Sequence, residues 1–241
     1  MCTVSYIWHN NKVFITSNRD ENVLRPTALE PKEEIINGCK LIFPKDPKSG
    51  GTWFAINQNG SVAVLLNGAF EKHVPLDNYA ISRGLILLDI ISNLAPVFYF
   101  DHLNLLNIEP FTLILFERNK LFELRWDGTI KFKTELESTS NYIWSSSTLY
   151  SAEIANFKAN LFQDFLIQNE EITDEMIMNF HTYNHNDSEN GFVINRANKI
   201  KTFSITQALI NGNSISLNHT DLLNQSKYLM TVDTVYVNTI N

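Results

Sequence analysis

The 241-residue chain is 44% hydrophobic and 19% charged, with a net charge of −7; this suits one globular domain, and residues 1–241 read as a single unit. The lysines are scattered, the densest group being Lys40, Lys45 and Lys48. A nucleic-acid partner, which needs clustered cations over phosphates, is thereby excluded.

Cys2 and Cys39 are the only cysteines and cannot build a disulfide framework. No basic stretch followed by a long apolar core opens the chain. No apolar run approaches the ~20 residues of a membrane helix; Leu85–Leu88, for example, stops at Asp89. The expectation is a cytoplasmic protein without stable membrane insertion.

In chain order, residues 2–8 and 13–19 alternate apolar and polar around HNNK. That reads as a β-hairpin, since Asn10 and Asn11 tolerate the left-handed turn it needs. TWFAIN (52–57) and SVAVLLN (61–67) form a second hairpin around an Asn59-Gly60 pair. SRGLILLDIISN (82–93) has helical spacing, and residues 101–107 read as a short helix.

Beyond Pro110 come the strands FTLILFE, KLFELRW and TIKFKTE, then a short one at 142–146. Amphipathic helices follow at 150–168 and 173–183, the second capped by Thr173. The last sixty or so residues read as strands again: GFVINRA, IKTFSITQALI, SISLNHT and KYLMTVDTVYVN. Strands, helices and strands without regular alternation predict an α+β fold of two antiparallel sheets packed face to face, with helices outside.

The first hairpin has a chemical consequence. With Asn10-Asn11 as the turn, paired residue numbers sum to 21, so Cys2 stands opposite Arg19, with β-carbons ~5 Å apart. Aminopeptidases remove Met before small residues such as Cys, which would leave Cys2 with a free α-amine of pKa about 7.7–8.0. Such an amine can take the thiol proton, and Arg19 would favour the thiolate and hold a substrate carbonyl or carboxylate. In this register Asp20 and Glu21 are expected to turn away from the strand; the plain alternative is a buried strand cysteine beside a solvated charged turn.

Other clusters carry less. His181 and His185 are spaced i, i+4, but no Glu lies between them and Asn184, Asn186 and Asp187 end the helix. They read as exposed helix-end histidines, and no metal or cofactor is expected. Trp53 reads as a core or pocket-wall aromatic and Asp89 as a surface charge. Ser82 reads as a helix cap, and Arg83 as part of that cap or a pocket cation.

The start MCT with TSNRDEN (16–22), SGGTWFAIN (49–57), VLLN (64–67), SRG (82–84) and WSSSTLYS (144–151) together resemble the NRDE family, also called the transport and Golgi organisation protein 2 family. That family in turn resembles the N-terminal nucleophile hydrolases of the choloylglycine hydrolase and penicillin V acylase type. The resemblance implies a four-layer αββα sandwich with Cys2 as nucleophile, Arg19 beside it and Asn67 as oxyanion donor. Asn18, Asp20, Glu21, Trp53 and Ser146 would surround the site.

Two departures stand out. Asn22 occupies the place of the acylases' amine-contacting Asp, and Ser145-Ser146 that of a later site Asn. The resemblance implies two functions. One is hydrolysis of a non-peptide amide or acyl bond in a small, partly apolar molecule. The other is binding or trafficking of haem or an acyl-lipid cargo in the same pocket.

Overall fold

Asn10 and Asn11 adopt φ of 49° and 58°, the left-handed pair that a two-residue hairpin requires. They join β1 (Cys2–His9) to β2 (Lys12–Asn22). Pairing runs from His9 opposite Lys12 to Cys2 opposite Arg19, the register the turn implies. The computed structural model describes residues 2–238, with the side chains of residues 3–234.

After this hairpin come β3 (Leu29–Ile36), β4 (Cys39–Lys45), β5 (Phe54–Asn57) and β6 (Val62–Asn67), then α1 (Arg83–Ile91) and α2 (Pro96–His102). The chain continues through β7 (Phe111–Glu117), β8 (Lys120–Trp126), β9 (Lys131–Leu136) and β10 (Tyr142–Ser145). It ends with α3 (Ala152–Gln168), α4 (Asp174–Thr182), β11 (Asn195–Arg196), β12 (Ile200–Asp221) and β13 (Ser226–Asn238).

One sheet has the order β10-β1-β2-β12-β11, with β13 also paired to β12; the other runs β3 to β9 in sequence. Every pairing is antiparallel. Val4, Tyr6, Val13 and Ile15 of the first sheet share a core with Phe54, Val64, Leu113 and Ile114 of the second. The outer faces are covered separately. Ile7 and Phe14 pack against Phe162 of α3 and Ile177 and Phe180 of α4, while α1 and α2 cover the second sheet through Leu87, Ile91 and Phe100. Burying each such side chain stabilises by about 1.5–3 kcal/mol. The molecule is thus a four-layer αββα sandwich of two antiparallel sheets.

Four local expectations are corrected. Asp20 and Glu21 do not leave the strand, because β12 pairs Thr202 with Asp20 and Lys201 with Glu21 and so carries β2 on to Asn22. The short helix lies at Pro96–His102, where Pro96 supplies a helical φ at its start, and not at 101–107. The two strands read near 200–210 and 214–220 are one continuous strand bridging both neighbours. Of GFVINRA, only Asn195–Arg196 pairs. The sequence reading also passed over β3 and β4, whose Asn37-Gly38 turn has φ of 51° and 76°.

Candidate active site

A cleft of about 570 Å³ opens at the strand ends where β2, β5 and β6 meet the start of α1. Of the residues singled out from the sequence, Arg19, Glu21, Trp53 and Asn67 line it, as does Arg83. Arg19 is only 3% exposed. Its guanidinium carbon stacks 4.3 Å from the Trp53 ring centroid, and its Nη2 lies 3.5 Å from Asp46 Oδ2.

Asp46 also accepts from Arg25 Nε (2.8 Å) and Nη2 and from the Lys48 amide (2.9 Å). Burial works to raise its carboxyl pKa, but the hydrogen bonds and charge of Arg25, with Lys48 N–H and Arg19, hold it below the usual range. On the opposite wall Arg83 Nη2 pairs with Glu109 at 2.9 Å and Nη1 donates to the Pro110 carbonyl. The cleft therefore carries three arginines facing three carboxylates, a lining suited to a neutral or dipolar group flanked by the apolar Trp53, Leu65 and Ile81.

The glycine-containing motifs build this wall by close approach. A Cβ on Gly51 would stand 2.5 Å from the Gly84 carbonyl carbon, and one on Gly84 would stand 2.7 Å from the Thr52 carbonyl oxygen. GGTW and SRG are thus two halves of one backbone contact, closed by Thr52 N–H donating to the Gly84 carbonyl at 3.3 Å. Ser82 caps α1 through the Leu85 amide, as expected.

Three candidates stand behind the cleft and not in its wall. Ser146 donates its hydroxyl to the Asn67 carbonyl at 2.8 Å and so fixes the end of β6. Asn18 faces the helices, where its Nδ2 donates to the carbonyls of His181 (2.9 Å) and Phe192 (3.0 Å). Asp20 is fully buried and accepts from the hydroxyls of Tyr150 (2.7 Å) and Thr202 (2.6 Å). Burial raises its carboxyl pKa, against the opposing effects of Lys158 and these two hydrogen bonds.

Cys2 enters only through its backbone. The register sets it opposite Arg19, beside Thr3, which pairs with Ser145 on the other flank. Its side chain lies outside the described residues. Asn57, the other motif asparagine, accepts the amides of Asn59 and Ser61 and donates to the Ile91 carbonyl. It braces a turn against α1 and takes no place in the cleft.

His181 is not an exposed helix-end residue. It is fully buried, Nδ1 lying 2.5 Å from Asn18 Oδ1 and Nε2 2.8 Å from Ser5 Oγ. Because the Asn18 oxygen only accepts, Nδ1 carries the proton and Nε2 accepts from Ser5. Burial, with the charge of Lys158, pushes its pKa down to about 3. Asp89 is not solvated alone either; Tyr99 donates its hydroxyl to it at 2.8 Å.

Sequence reasoning missed Arg25, Asp46 and Glu109 as lining residues. Asp46 sits four residues before GGTW and Arg25 four after Glu21, proximity that could have marked both.

Solved structures share the fold, and two of 54 matching chains illustrate it. A Caenorhabditis elegans N-acylethanolamine-hydrolyzing acid amidase ortholog aligns with TM-score 0.62 and 10% identity over 86% of this chain and 92% of its own. The C2A mutant of the conjugated bile acid hydrolase from Clostridium perfringens aligns with TM-score 0.51 and 11% identity over 100% of both. Among curated protein sequences none matches this chain. Among the described residues no helix is long and apolar enough to cross a membrane. The motifs that line and brace the cleft fall within a family match spanning residues 1–225, and the chain belongs to the Transport and Golgi organisation 2 family.

Proposed function

We propose that the protein is a cysteine amidohydrolase of the N-terminal nucleophile type, cleaving an amide or related acyl bond in a small, partly apolar, non-peptide molecule of the cytoplasm. The observation that supports it most is the strand register: Cys2 stands opposite Arg19, and Arg19 shares a cleft with Asn67 and Trp53. The names of the two structural neighbours, an amidase and a hydrolase, agree with it.

In this reading loss of Met1 frees the Cys2 amine, which takes the thiol proton. The thiolate attacks the acyl carbon, and Asn67 donates to the developing oxyanion. Arg19 holds the substrate carbonyl or carboxylate and favours the thiolate. As the C–N bond breaks, the protonated amine returns its proton to the leaving nitrogen. A water molecule, deprotonated by the same amine, then hydrolyses the thioester to a carboxylic acid and restores the thiol. Ile81, Leu65 and Trp53 supply apolar surface for the rest of the substrate.

The test is acylation by p-nitrophenyl decanoate, followed by intact-mass and peptide analysis. One decanoyl group on Cys2, absent from Cys2→Ala, is the predicted result. Acylation confined to lysines or to Cys39 would overturn the reading.

A further inference from the structure

Behind the strand ends that form the cleft floor lies a second cluster, which the proposed chemistry does not use. Lys158, on the inner face of α3, is 0% exposed. A buried ammonium is costly unless its charge and all its donors are answered. Here Nζ donates to Thr3 Oγ1 at 2.8 Å and sits 3.6 Å from the Tyr150 ring centroid, a cation–π distance.

Tyr150 in turn donates its hydroxyl to Asp20 at 2.7 Å. Thr202 closes the other carboxylate oxygen at 2.6 Å. Arg196 covers the outer side of the Tyr150 ring, its guanidinium carbon 5.1 Å from the centroid. The charge of Lys158 also acts on His181 and His185.

Thr3, Asp20 and Tyr150 are each one covalent step or one short turn from a cleft candidate. Thr3 follows Cys2, and Asp20 follows Arg19. The Tyr150 amide donates to the Ser146 carbonyl at 3.0 Å, and Ser146 holds the Asn67 carbonyl. Strands alternate their faces, so a residue facing the helices sets the height and tilt of its neighbour facing the other sheet. A core needing only stability would be served as well by apolar side chains here.

We propose that Lys158, Tyr150 and Asp20 form a buried positioning centre that fixes Cys2, Arg19 and Asn67 relative to one another from the far side of the sheet. It touches no substrate and acts through Thr3, Asp20 and the Ser146 turn. The proposal rests on the hydrolase reading, because it takes Cys2 as the group whose placement matters.

The test is iodoacetamide alkylation across pH of Lys158→Met, Lys158→Arg and, as the milder change, Tyr150→Phe, with Cys39 as the internal standard. Cys39 is buried in the other sheet and reports general loosening. Lys158→Met should slow Cys2 alkylation by about tenfold and move its pH midpoint while leaving Cys39 unchanged. Tyr150→Phe should do the same to a smaller degree, and Lys158→Arg should restore most of the rate.

Variants that lower thermal stability but leave the Cys2 rate and midpoint within about twofold of the parent's overturn the proposal, as does a parallel change at Cys2 and Cys39. If Lys158→Met does not fold, Tyr150→Phe decides the question on the same criteria. Equal labelling of Cys2 and Cys39 in the unsubstituted protein is a separate result, which removes the hydrolase reading and the positioning role together.

Discussion

Arg19 lies over the indole of Trp53, its guanidinium carbon 4.3 Å from the ring centroid. Arg19 belongs to the NRDE stretch on one sheet, and Trp53 to the GGTW loop that leads into β5 of the other. The two signature motifs thus meet across the sandwich, and the cleft opens where they touch. Cation–π stacking in a desolvated setting is worth up to about 2 kcal/mol. It also fixes the plane of the guanidinium, which a flexible arginine on one strand could not do alone.

The purified mature chain is predicted to begin at Cys2. Intact mass or Edman sequencing reads this directly, and a chain that keeps Met1 removes the amine-base mechanism.

Asp46 anchors two of the three cleft arginines, Arg19 and Arg25, so Asp46→Asn should cost about 1–2 kcal/mol at pH 7, an amount discounted for its partly solvated setting. Its folded pKa is depressed, chiefly through Arg25 acting against burial. The contribution is therefore complete above the unfolded carboxyl value of about 3.9 and is lost as pH falls through the lower folded one. Urea unfolding at pH 7 and pH 3 checks it: the gap between parent and variant should shrink at pH 3. A gap independent of pH contradicts the assignment.

His181 is held neutral by burial, its pKa pushed down to about 3. A depressed base contributes stability that is full above the unfolded value of about 6.5 and lost as pH falls from there through the folded value. At pH 5 its unfolding takes up about one proton, so His181→Gln should unfold with about one proton fewer. Stability measured from pH 7 to pH 5 gives the slope; equal slopes for parent and variant would mean His181 is already charged in the fold.

Gly84→Ala would press a methyl group to within 2.7 Å of the Thr52 carbonyl oxygen. The expected loss is about 1–3 kcal/mol, with decanoylation of Cys2 impaired because the cleft wall carrying Trp53 must shift. Calorimetry and the acylation assay read the two effects; a variant as stable as the parent would mean that GGTW and SRG do not pack as described.

How much was legible in the sequence depends on whether the cause was local. The Asn10-Asn11 turn sets register by itself, so Cys2 opposite Arg19 could be read before any coordinate. The fate of Asp20 could not, because what keeps it in the strand is Thr202, 182 residues away. Strand β3 was missed because its face is mostly exposed and charged, which hides the alternation, although Asn37-Gly38 marked the turn. Lys158 reads as one more polar residue on an amphipathic helix; only the arrival of Thr3 and Tyr150 makes it a buried cation. His181 was misread for the same reason, since Asn18 and Ser5 come to it from the opposite end of the chain.

The most direct test of the central claim is the pH dependence of iodoacetamide labelling at Cys2 and Cys39, in the parent and in Arg19→Ala. Burial raises the Cys39 thiol pKa, so this residue should react slowly. Cys2 should label faster, with a midpoint below the ~8.5 of a free thiol. Arg19→Ala should move that midpoint upward by about one unit. Cysteines that label alike, with a Cys2 midpoint unmoved by Arg19→Ala, would make Cys2 an ordinary strand residue and contradict the hydrolase account.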